Sequence, residues 1–115
     1  MPHDPTIAVR DILGEIEFLQ ATAARMSFDE FKQDGAACRA VAYSIQIISE
    51  AVRHIPDEWL ADYPDQPWAA IRGTGNKIRH EYFRIDEAIL WDIATKHCVP
   101  LKDAMVDMLA KRAGG

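Results

Sequence analysis

Pro67–Asp86 reads PWAAIRGTGNKIRHEYFRID, and the way this stretch coils decides how the whole chain is organised. At about 100° per residue, Ile71, Ile78 and Tyr82 fall in one narrow sector, the expected core face of a helix. Arg72, Asn76, Arg79 and Phe83 share a second sector. His80 lies at its border, one turn from Asn76. Lys77 and Glu81 form an i, i+4 pair on the outer face. Pro67 suits the first turn of such a helix, where its missing N–H is not needed. Gly73 and Gly75 each cost about 1 kcal/mol relative to Ala inside a helix. Two of them in one turn therefore predict a close backbone approach or a bend.

The rest of the chain repeats the helical period. Upstream, Val9, Ile12, Leu13, Ile16, Leu19, Ala23 and Met26 form one stripe on a helix over about 7–26, with Asp4 or Thr6 available as its cap. Ser27 and Glu30 have capping-box spacing ahead of a short turn, 28–33, and Asp34-Gly35 is a break. Val41, Ile45, Ile48, Val52 and Ile55 stripe a second long helix over about 36–54, which Pro56 ends. Asp57 is the expected cap of a short helix reaching Tyr63, and Pro64–Pro67 is a rigid loop. Downstream, Asp86 caps a further helix carrying Ile89, Leu90, Ile93, Ala94 and His97. Pro100 is expected to begin a separate last helix, striped by Leu101, Ala104, Met105, Met108 and Leu109. No strand period, internal repeat or low-complexity run is visible. The expected fold is all-α, an antiparallel helical bundle of about five helices joined by short loops.

Composition bounds the possibilities. The 115 residues fit one domain over 1–115, with a core from about 7 to 109, and 49% hydrophobic with 27% charged residues is an ordinary globular balance. No apolar run approaches the roughly 20 residues that span a bilayer, and MPHDPTIAV lacks the pattern of a signal peptide, so a cytoplasmic location is expected. Cys38 and Cys98 are expected to be free, buried thiols. Net charge is −5, which argues against broad, non-specific nucleic-acid binding. The charge is uneven, however. Residues 72–84 carry four Lys/Arg against Glu81 alone, whereas residues 1–71 carry five against twelve Asp/Glu. A local reversal of sign points to a phosphate-bearing partner.

The same stretch holds the residues most suited to chemistry. On one helix Arg72, Asn76, Arg79 and His80 can converge on a small surface. An imidazole moves protons near pH 7, and a guanidinium holds a phosphoryl group whose charge grows in the transition state. Alternatively, His80 is a surface residue paired with Glu50 or Glu81, and Tyr82 is a core aromatic. His97-Cys98 has no second ligand pair at metal spacing, and Gly73-x-Gly75 is too short to cradle phosphate. No metal or other cofactor is expected.

The run Pro67-Trp68, Ile71, Gly73, Asn76, Ile78, His80-x-Tyr82, Ile85-Asp86 resembles the HepT-like branch of the HEPN superfamily, and Phe31 with Ser49-Glu50-Ala51 resembles its second-helix region. The resemblance implies a small all-helical homodimer, paired in bacteria with a minimal nucleotidyltransferase antitoxin. It further implies a toxin that is a metal-independent endoribonuclease acting on RNA, possibly tRNA. In that family an Arg is followed by four to six intervening residues and then His-x-Tyr. The Arg and His are assigned to cleavage, and the Tyr is where the partner attaches AMP. His80 and Tyr82 match. The Arg does not, because the allowed positions are Gly75, Thr74 and Gly73. Either Arg79 or Arg72 supplies the charge, with Asn76 orienting a phosphate oxygen, or this chain is a weakly catalytic binding protein that grips a nucleotidyltransferase or a nucleotide.

Overall fold

The computed structural model describes residues 4–81 and 85–113, and among them every regular element is helical. Among the described residues seven α-helices follow in order: α1 (Pro5–Ala24), α2 (Phe28–Gln33), α3 (Gly35–Val52), α4 (Asp57–Leu60), α5 (Trp68–Glu81), α6 (Glu87–Asp92) and α7 (Cys98–Ala113). A π-helical turn, Ile93–His97, joins α6 to α7. No helix among the described residues is long and apolar enough to cross a membrane.

Local chemistry sets the boundaries. The Asp4 carboxylate accepts from the Thr6 N–H at 3.0 Å and caps α1. At α2 the Ser27 hydroxyl accepts from the Glu30 N–H at 3.1 Å while Glu30 accepts from the Ser27 N–H at 2.8 Å, so the expected capping box is complete. Asp34 caps α3 through the Ala37 N–H at 2.9 Å, and Asp86 caps α6 through the Ala88 N–H at 2.8 Å. Three expectations differ. The short fourth helix ends at Leu60 and passes into turns before Tyr63. Asp57 is the first residue of α4 and caps nothing; its carboxylate is held by Arg72. Pro100 does not start a separate helix either. The π turn widens the helix just before it, so the proline, which cannot donate an i→i−4 bond, sits in the first turn of α7 without breaking the path.

The stripes pack as their spacing requires. Val9, Ile12, Ile16 and Leu19 of α1 meet Val41, Ile45, Ile48 and Val52 of α3 and Leu101, Met105 and Met108 of α7 in one core. α1 lies between α3 and α7, and α3 lies between α1 and α5. Phe31, 1% exposed, closes the end of the bundle beneath Trp91, ring centroids 5.2 Å apart. Both cysteines are free and buried, and burial raises both thiol pKa values, away from the reactive thiolate form.

The α4 segment is latched to the end of α7. The Tyr63 hydroxyl donates to Asp107 at 2.7 Å, and the Arg112 guanidinium lies 4.3 Å from the centre of the Trp59 ring. Desolvation and the Asp107 contact push the Tyr63 phenol up to about 12 from an ordinary 10.0. A raised folded pKa stabilises below the unfolded value, and the contribution is lost as pH rises through the folded one. Thermal melts of the wild type are therefore expected to fall more steeply between about pH 10 and 12 than those of Tyr63→Phe; equal slopes would show that the latch contributes nothing.

Candidate active site on the fifth helix

The start of α5 is tied down. The Trp68 indole N–H donates to the carbonyls of Leu60 and Tyr63 at 3.0 and 3.1 Å, fixing α5 to the end of α4. One turn on, the Arg72 guanidinium donates to the Asp57 carboxylate at 3.0 Å. Ile78, 3% exposed, enters the core, and Ile71 packs at its edge.

Between these two, α5 comes close to α3 at Ser49. The Ser49 hydroxyl donates to the Arg72 carbonyl at 2.8 Å and accepts from the Gly75 N–H at 3.1 Å. A Cβ added at Gly75 would lie 2.5 Å from the Ser49 Cβ and would also strike its hydroxyl oxygen. Gly73 faces open space. Only one of the two glycines therefore serves close approach, and neither interrupts α5, which runs unbroken to Glu81.

The last two turns are free. Asn76, Lys77, Arg79, His80 and Glu81 are exposed. Among the described residues none of them makes a side-chain hydrogen bond or ion pair, so the helical pairing of Lys77 with Glu81 does not form. The alternative partner for His80, Glu50, is engaged by Arg53 at 3.7 Å. The four expected site residues thus divide. Asn76, Arg79 and His80 share the exposed end of α5, whereas Arg72, on the same sector by periodicity, is half-buried and turned to Asp57. Tyr82, the expected AMP acceptor, and Phe83 lie outside the described residues. Sequence reading missed Arg53, whose guanidinium reaches the Arg72 carbonyl at 3.4 Å and adds a cation beside the Arg72–Asn76 stripe. Its position at the end of α3 gave no periodic signal toward α5.

Helix geometry bears on the missing motif arginine. Side chains on a helix lean toward its N-terminus, so Arg79 covers the turn that begins at Gly75. An arginine at position 75 would instead have to displace Ser49.

A groove of about 580 Å³ runs beside α5, lined by Ile48, Ile71, Thr74, Ile89, Ile93 and His97 among others. Asn76, Arg79 and His80 are not among its lining residues. No group of three or more His, Cys, Asp or Glu side chains among the described residues is placed to hold a metal ion.

Residues 12–108 match the family described as Ribonuclease HepT-like. The chain belongs to the HepT-like ribonuclease family. A protein of Caldanaerobacter subterraneus subsp. tengcongensis named "Putative RNase TTE0752" is 34% identical over 107 residues, covering 93% of this chain and 96% of that one. "Putative RNase MJ0127" of Methanocaldococcus jannaschii is 36% identical over 83 residues, covering 72% and 69%. "Probable ribonuclease HepT" of Thermococcus cleftensis is 29% identical over 94 residues, covering 82% and 86%. No solved structure matches the chain significantly. The HepT-like match spans all of α5, from Trp68 to Glu81.

Proposed function

We propose that this HepT-like protein is a metal-independent endoribonuclease, the toxin of a pair whose antitoxin is a minimal nucleotidyltransferase, with tRNA a candidate substrate. The observation that carries the reading is the exposed set Asn76, Arg79 and His80 at the end of α5, without a side-chain partner among the described residues and inside the family match. His80 takes the proton from a ribose 2′-hydroxyl as its oxygen forms a bond to the adjacent phosphorus. Arg79 holds the phosphorane charge, and Asn76 orients a phosphate oxygen. The P–O5′ bond then breaks and the leaving oxygen receives a proton. One imidazole performs both transfers, or His80 of a second subunit supplies the other. Arg72 plays a secondary part, since approach to phosphate requires it to leave Asp57.

A homodimer that brings its two 72–84 stretches together concentrates their net +3 each at one surface. Light scattering at micromolar concentration should give about twice the 13.0 kDa chain mass; a clean monomer would remove the two-subunit form of the site.

Tyr82 is the proposed acceptor of AMP. Tyr63 is a poor nucleophile, because its hydroxyl is given to Asp107 and its pKa stands near 12. Tyr43 is 66% exposed but far in sequence from the basic stretch. Incubation with the cognate nucleotidyltransferase and ATP, followed by peptide mapping, should place the added mass on Tyr82. Modification of Tyr82→Phe protein as readily as wild type would refute this.

Ser49 filling the space beside Gly75, one of the three positions allowed for the family's arginine, favours a second reading: a catalytically weak protein that binds the nucleotidyltransferase or a nucleotide. Purified protein incubated with total tRNA separates the two. Discrete fragments support the nuclease, and intact RNA together with retained partner binding supports the alternative.

A further inference from the structure

Ser49 stands on α3, 2% exposed, yet both of its hydroxyl's hydrogen bonds go to the backbone of α5. Backbone groups inside a helix already have partners one turn away, so these bonds are not needed to satisfy Arg72 and Gly75. Their effect is geometric. Two contacts three residues apart, made beside Gly75, the glycine of α5 that faces Ser49, fix its axial position and its roll against α3. Beyond Ile78 nothing among the described contacts does so, although the last two turns carry Asn76, Arg79 and His80.

We infer that Ser49 is a positioning residue for the candidate active site, holding through Gly75 the roll of α5 that aims Arg79 and His80 at one phosphodiester. The inference rests on the ribonuclease reading above. With side-chain tips roughly 5–6 Å from a helix axis, a roll of about 10° moves them by about 1 Å. A displacement of that size at reacting atoms costs about 10²-fold in rate. The clamp also explains why the motif arginine has no place at position 75. The space is taken by Ser49, and the cation is carried one turn on, by Arg79.

The test compares Ser49→Ala, Gly75→Ala and the double variant Ser49→Gly/Gly75→Ala in the full chain. Ser49→Ala should lower kcat for RNA cleavage by about 10- to 100-fold with KM within about threefold. Gly75→Ala should lose both rate and thermal stability through crowding. In the double variant the crowding is gone and the hydroxyl absent, so stability should return while kcat stays low. A purely structural role predicts that kcat returns with stability, and that result, or full activity in Ser49→Ala, would overturn the inference. A second measurement does not depend on turnover: amide exchange at Gly75 and the NMR resonances of the His80 ring and Arg79 guanidinium in the free protein. Ser49→Ala should speed exchange and shift the distal resonances. If the wild type cleaves no RNA, the ribonuclease reading fails, and these shifts alone decide the clamp: unchanged His80 and Arg79 signals would overturn it.

Discussion

His80→Ala is expected to reduce RNA cleavage by about 10²–10⁴-fold, the usual worth of a general acid–base group, while leaving helical content and melting temperature near those of the wild type. The structure separates the two effects. His80 is exposed on the last turn of α5 and makes no hydrogen bond or ion pair with a described side chain, so its removal breaks no described hydrogen bond. Surface substitutions of this kind change stability by about 0.5 kcal/mol or less. Cleavage is read as single-turnover rate on labelled RNA, stability as thermal melting by circular dichroism. Unchanged cleavage would place the chemistry elsewhere or reveal a contaminating nuclease; a collapsed fold would show that His80 is structural.

Arg79→Ala is expected to cost about 10²–10³-fold, the range seen when one donor to a developing anion is removed. Arg72→Ala is expected to cost less than about tenfold, because that guanidinium already has a partner. Its contact with Asp57, whose side chain is largely exposed, is itself worth only about 0–1 kcal/mol of stability. The order of the two variants is the informative outcome. A silent Arg79→Ala beside a severe Arg72→Ala would move the phosphate-holding role to Arg72 and require the Asp57 pair to open during the reaction.

Much of the fold was legible because its causes are local. The stripe from Val9 to Leu19 needs only the helical period, the Ser27–Glu30 box needs four consecutive residues, and Pro56 ends α3 by its own sterics. What was not legible depends on neighbours distant in sequence. Periodicity marked Gly73 and Gly75 alike, and only the position of Ser49 shows that Gly75 alone is needed for close packing. Asp57 had the spacing of a cap, but Arg72, fifteen residues on, determines what its carboxylate does. Pro100 suits a helix start, since a regular α-helix rejects an interior proline. A π turn relieves the conflict, and no pattern of apolar residues announces one. In the candidate site, the shared sector of Arg72, Asn76 and Arg79 was correct for the backbone. It could not show that α4 would draw Arg72 aside while leaving the end of α5 open.

The central claim is that α5 cleaves RNA by attack of the neighbouring 2′-hydroxyl, with side chains alone supplying the charge. The most direct measurement is the chemistry of the ends produced when purified protein is incubated with tRNA in excess chelator. The account predicts fragments ending in 2′,3′-cyclic phosphate and beginning with 5′-hydroxyl, absent from the His80→Ala reaction. Fragments with 3′-hydroxyl and 5′-phosphate ends, or cleavage that the chelator abolishes, would contradict it.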